Sequence, residues 1–112
     1  MAFYSGTIML DTVVLSVVAN ETDGTYGYKI TQDVRSVLDV SESALYPVLR
    51  RLQTSNFLET YDKEFSGRNR RYYKITSQGM SQLNSYKEEW LEYRDKLNEI
   101  LLGETDDKTR IS

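Results

Sequence analysis

The 112-residue sequence contains no cysteine and no histidine, and only one proline and one tryptophan. Missing cysteine removes disulfides and thiolate nucleophiles. Missing histidine as well removes imidazole bases and the usual zinc sites. Only carboxylates are left for acid–base chemistry, and no acid pair stands in an apolar setting. Composition therefore argues against an enzyme and offers no ligand set for a metal or cofactor. Long apolar runs are lacking too. The longest stretch, "TIMLDTVVLSVVA" at 7–19, is interrupted by Asp11 and is too short to span a bilayer. No basic leader or small-residue cleavage site precedes it, so it does not read as a signal peptide. The expected compartment is the cytoplasm, with no membrane partner. There is no internal repeat and no low-complexity segment.

What is present is an ordinary globular composition, 39 % hydrophobic and 28 % charged, of a length that suits one core. Charge is spread unevenly around a net value of −3. Residues 1–80 carry nine basic and nine acidic groups, and 81–112 carry five basic against eight acidic. Within 50–74 the balance reverses: Arg50, Arg51, Lys63, Arg68, Arg70, Arg71 and Lys74 face only Glu59, Asp62 and Glu64. The stretch "FSGRNRRYYKIT", 65–76, concentrates four of these cations around Tyr72 and Tyr73. A local basic patch is what a phosphate-bearing partner needs, whatever the total charge.

Hydrophobic spacing gives the element order. Residues 7–19 read as a helix with Leu10, Val13, Val14, Val17 and Val18 on one face. Ile8, Thr12, Leu15 and Ala19 make the other face apolar, which calls for a second partner such as another subunit. Residues 20–27 read as a turn and 26–38 as a second helix, with Ile30, Val34, Val37 and Leu38 inward. Ser41 or Ser43 caps a third helix over 42–55 that buries Leu45, Val48, Leu49 and Leu52. Its outward face carries Ser43, Tyr46 and Arg50. Pro47 falls near the end of the first turn, and Asn56 suits a left-handed cap. Strands follow at 57–65, with Phe57, Tyr61 and Phe65 on one face, and at 70–76, with Tyr73 and Ile75 together. "SGRN", 66–69, is the connecting turn. Thr76 or Ser77 caps a last helix over 78–102, where Leu83, Tyr86, Trp90, Tyr93, Leu97 and Ile100 form a heptad stripe.

The fold class is mainly α (α+β). Three small helices, a hairpin and a long helix match a winged helix-turn-helix with a C-terminal dimerisation helix. The expected organisation is a winged helix-turn-helix domain over 1–80, the dimerisation helix over 81–102, and a flexible tail over 103–112. In such a fold the third helix enters the major groove and the hairpin meets the backbone or the minor groove. The expected contacts to double-stranded DNA are Ser41, Ser43, Tyr46 and Arg50 from the third helix, and Arg68, Asn69, Arg70, Arg71 and Lys74 from the hairpin. The competing reading of these residues is a solvated hairpin and an ordinary exposed helix face. Arg51 is expected to pair in part with acidic neighbours.

At "ESALYPVLRRLQTSNFL", 42–58, the sequence resembles the PadR family of bacterial transcriptional regulators. Leu45, Tyr46, Pro47, Leu49, Arg51 and Leu52 match the family's recognition-helix pattern. "TYGYKI", 25–30, resembles its Tyr-Gly-Tyr, and "GRNRRYYKITSQG", 67–79, its basic wing. The departures are Asn56, where glycine is common, and a single wing glycine. The resemblance implies a homodimer that represses genes at a palindromic operator. It implies dimer contacts through Leu83, Tyr86, Trp90, Tyr93, Leu97 and Ile100, with the first helix packing on the partner's last helix. It also implies a site for a small aromatic effector at the dimer interface, built on Trp90, fourteen residues after Thr76, with Tyr93, Met9 and Thr12. Arg94 departs from the acidic residue that drug-sensing members carry one turn later. The other reading of Trp90 is an interface anchor. A different function class, a winged-helix protein-interaction module without specific DNA binding, stays open on the sequence.

Overall fold

The structure is a computed structural model that describes residues 6–103. The chain runs through α1 (Gly6–Ala19), β1 (Thr25–Tyr26), α2 (Gly27–Arg35), α3 (Glu42–Thr54), β2 (Leu58–Phe65), β3 (Arg68–Ile75) and α4 (Ser77–Leu102). This is a winged helix fold with a small antiparallel sheet in the order β1-β3-β2 and a long last helix. The tail expected over 103–112 lies, beyond Gly103, outside the described residues, as does the start of the 1–80 unit. No helix among the described residues is long and apolar enough to cross a membrane.

The core is aliphatic. Val14, Leu15 and Val18 of α1, Ile30 and Val34 of α2, Leu45, Val48, Leu49 and Leu52 of α3, Leu58 of β2 and Leu83 of α4 are all buried. Burying side chains of this kind is the main source of stability. Within α1 the buried face is Asp11, Val14, Leu15 and Val18, so Leu15 belongs to the core and not to the outward face. Asp11 can lie there because Arg51 of α3 donates a charge-assisted hydrogen bond to its Oδ1. Ile8, Met9 and Thr12 are half-buried, and Thr12 turns its hydroxyl back on the Ile8 carbonyl at 2.7 Å.

Three local expectations shift. The α2 helix ends at Arg35, earlier than 38, so Val37 is 68 % exposed instead of inward. Thr25 and Tyr26, expected in a turn, pair with Tyr73 and Tyr72 as a third strand. The hairpin turn is two residues, not four. Phe65 pairs with Arg68, and Ser66 and Gly67 both take positive φ, 52° and 80°. A two-residue loop of that kind matches the twist of the flanking strands, so pairing continues through Arg68 and Asn69.

Tyr61 and Phe65 share one face of β2 as expected, whereas Phe57 precedes the strand and packs against the core. Leu58 is the buried residue of β2, so the core face carries Leu58, Thr60, Tyr73 and Ile75. Tyr61 and Phe65 lie on the opposite face with Tyr72 and Arg70. On that face the rings of Tyr61 and Tyr72 stack at 5.6 Å, and Tyr26 meets Tyr72 edge-on at 5.6 Å. The Tyr61 hydroxyl donates to the Asp23 carbonyl at 2.6 Å. The wing is thereby tied to the start of α2.

The junction between α3, the hairpin and α4 is closely built. Asn56 takes the left-handed conformation with φ 69°. The Thr76 hydroxyl donates to the Asn56 carbonyl at 2.7 Å and accepts from the Gly79 N–H at 2.9 Å, so one side chain caps α4 and holds the end of α3. The Thr76 N–H also donates to the Phe57 carbonyl at 3.0 Å. Gly79 packs directly on that carbonyl and on Ile75, where any side chain would collide.

Candidate nucleic-acid interface

Ser41 is the N-cap of α3, its hydroxyl accepting from the Ala44 N–H at 3.2 Å. The Ser43 hydroxyl lies 3.3 Å from that of Ser41. One turn on, Tyr46 donates weakly to Glu42 at 3.4 Å and remains partly exposed. Arg50 continues the same exposed face. The face exists because Leu45, Val48, Leu49 and Leu52 turn the other side of α3 into the core. Pro47 is the sixth residue of α3, one turn in, where it removes the bond that the Ser43 carbonyl would receive.

Arg51 points differently from Arg50. It reaches α1 and pairs with Asp11, which is only 6 % exposed. Burial pushes the Asp11 carboxyl above its ordinary value, and the Arg51 guanidinium pulls it part of the way back. Arg51 therefore anchors α3 to α1.

The hairpin supplies the remaining cations. Arg68, Asn69, Arg71 and Lys74 are exposed along β3. Arg71 faces Asp62 across the ladder at a loose 3.9 Å, and Lys74 is opposite Glu59. Arg70 is set apart from the others. Its guanidinium lies 4.0 Å from the ring centres of both Tyr26 and Phe65. Arg70 and Arg71 line one cleft of about 550 Å³ with Tyr26, Gly27, Tyr28, Tyr46 and Tyr73. The wing and α3 are thus adjacent walls of one basic, aromatic surface. Within it, burial raises the Tyr73 hydroxyl above its usual value, opposed by Arg71.

The expected contact residues of α3 and the wing thus lie on neighbouring elements. Sequence reasoning passed over Tyr26, Tyr28 and Lys63. Strict two-residue alternation along 57–65 would have put Lys63 beside Tyr61 and Phe65.

The stripe on α4 divides. Leu83 is 1 % exposed because its own chain encloses it, so it is a core residue and not free for a second subunit. Tyr86 packs partly against the same core. Further along, Trp90 and Tyr93 are half-buried with ring centres 6.1 Å apart, and Leu97 is half-buried. Ile100 is 79 % exposed, and Leu91, Leu101 and Leu102 are exposed beside the stripe. Among the described residues no cluster of acids suits a metal ion.

Comparison with known proteins agrees with this geometry. The family model for the PadR-like transcriptional regulators matches residues 14–85, which takes in α2, α3, the wing and the start of α4. A crystal structure of a Streptococcus mutans protein is similar at 32 % identity and a TM-score of 0.80, covering 88 % of this chain and 91 % of that one. A PadR-like transcriptional regulator from Bacillus cereus is similar at 32 % identity and a TM-score of 0.76, covering 86 % and 94 %. A PadR family transcription regulator from Clostridium difficile is similar at 29 % identity and a TM-score of 0.73, covering 82 % and 97 %. An uncharacterised Lysinibacillus sphaericus protein is 30 % identical over 99 residues, 84 % of this chain and 89 % of its own. With a winged helix, a basic wing beside α3 and this match, the chain belongs to the PadR-like family of transcriptional regulators and is a DNA-binding regulator, not an enzyme.

Proposed function

We propose that the protein is a homodimeric repressor that binds a palindromic operator and is released by a small aromatic ligand at the dimer interface. The observation that carries this reading is the convergence of the exposed α3 face with the arginines of the wing on one surface. Arg68, Asn69, Arg71 and Lys74 would hold phosphates and set the register. Ser43, Tyr46 and Arg50 would meet base edges, with Ser41 holding the helix start. Two copies would then address half-sites about one helical turn apart.

The dimer contact falls to α4 and the outward face of α1. The molecule is 63 Å long against 27 and 20 Å in its other dimensions, and the far end of α4 leaves Leu91, Ile100, Leu101 and Leu102 exposed. An apolar helix end of this kind needs a partner surface. Trp90 and Tyr93, with Met9 and Thr12 on α1, would then line the effector site, where planar rings favour a planar apolar ligand. Arg94 lies close by and is paired with Asp95 at 3.0 Å.

The test is fluorescence anisotropy with labelled duplex from upstream of the protein's own gene, beside a scrambled duplex, across a range of salt. Sequence-selective binding at moderate salt is the expected result. Equal binding to both duplexes that vanishes with salt would reduce the reading to a nonspecific basic wing. Absence of binding at any salt would favour a protein-interaction module. Quenching of Trp90, the sole tryptophan, is the readout for effector binding.

A further inference from the structure

Lys63 and Arg70 are directly opposite each other in the β2–β3 register. Like charges at such a cross-strand pair repel, since their Cβ atoms are about 5 Å apart. Among the described residues neither cation makes an ion pair, whereas the next rung pairs Arg71 with Asp62. What holds them is aromatic. Arg70 lies between the rings of Tyr26 and Phe65, and the Lys63 ammonium is 5.3 Å from the ring centre of Tyr72. Tyr72 is itself fixed between Tyr61 and Tyr26. Stacking fixes a guanidinium plane while leaving its N–H edge free to donate. The result is two cross-strand cations with no counter-charge among the described residues, of which Arg70 lines the cleft that Tyr46 of α3 also lines.

We propose that Lys63 and Arg70 form one seat for a single DNA backbone phosphate, with Tyr26, Phe65 and Tyr72 as its positioning residues. The inference rests on the DNA-binding reading above and adds Lys63 to it. A phosphate between the two cations accepts from both and cancels their repulsion. The free protein therefore carries a strain that bound DNA relieves.

The experiment compares wild type, Lys63→Gln, Arg70→Gln, the double variant, Arg70→Lys and Phe65→Leu. Anisotropy gives affinity for the upstream and scrambled duplexes over a salt series, and thermal melts give the stability of free protein. Lys63→Gln should weaken binding about three- to tenfold on both duplexes and lower the slope of log K against log salt in part, and the double variant, which empties the seat, should lower it by about 0.9. Lys63→Gln should leave the melting temperature unchanged or raised, which a merely structural lysine would not do. Arg70→Lys keeps the charge but loses the stack, and should recover less than half of the loss seen in Arg70→Gln. Phe65→Leu removes no charge and should still weaken DNA binding. Wild-type affinity and slope in Lys63→Gln would overturn the seat while leaving the DNA reading intact. A wild type that binds neither duplex at low salt would overturn both.

Discussion

Replacing Arg51 by Ala tests whether the buried Asp11 depends on it. The variant strands a carboxylate that is only 6 % exposed. Breaking a fully buried ion pair by removing one partner costs about 3–5 kcal/mol. Here the Arg51 side chain is 44 % exposed, so water reaches one side of the pair and the figure falls to about 2 kcal/mol. At about 4 °C per kcal/mol for a chain of this size, the melting temperature should drop about 8 °C, read by circular dichroism at fixed protein concentration. Adding Asp11→Asn to Arg51→Ala removes the stranded charge and should restore about half of the loss. The pH dependence has an unusual sign. The Asp11 carboxyl is raised above 3.8 in the folded chain, so the fold holds this proton more tightly than the unfolded chain does. Stability from this group is full below pH 3.8 and is lost as pH rises through the folded value. Without Arg51 the folded value climbs further, so the gap between variant and wild type should narrow on acidification from neutral pH. A drop below about 2 °C for Arg51→Ala, or a double variant no better than the single, would refute the reasoning.

Two other substitutions probe the frame. Gly79→Ala would drive its Cβ into the Phe57 carbonyl and within 2.7 Å of Ile75 Cγ1, so it should cost about 3 kcal/mol in urea melts, with the loss of a cooperative transition as the extreme outcome. Ile100→Glu, at a position 79 % exposed in the single chain, should leave that chain's stability nearly unchanged yet halve the mass measured by light scattering; unchanged mass would remove α4 from the dimer contact.

The helices of the fold were legible because their apolar spacing is strong: Leu45, Val48, Leu49 and Leu52 could face only one way. Thr76 and Asn56 were legible because their side chains perform local tasks, capping and left-handed turning, that few residues do well. The β elements were harder. A two-residue strand such as Thr25–Tyr26 has no period to detect and exists only because Tyr73 and Tyr72 are there to pair with. That Tyr61 and Phe65 share one face of β2 was legible from alternation, but which face meets the core was not, because Leu58 is the one buried residue of the strand. Leu15 and Asp11 were misread for a related reason. An acid in an apolar stripe looks like an interruption until its partner, forty positions away on α3, is known. The basic surface was legible as composition. Its arrangement was not, because the stacking of Arg70 depends on Tyr26, which is distant in sequence. On α4 the heptad stripe was legible, but spacing alone could not say where the core of one chain stops, between Tyr86 and Trp90.

Thr76 joins three elements at one point: the end of α3 through Asn56, the base of the wing through Phe57, and the start of α4 through Gly79. The joint has a mechanical consequence. A helix of 26 residues is a rod about 39 Å long, clamped at one end to the α3–wing surface. Turning the rod by about 5° about the clamp sweeps its far end through roughly 3 Å. In the proposed dimer, a small wedge between two such rods would rotate each α3–wing surface as a rigid unit and change the span between the paired third helices, without deforming either one.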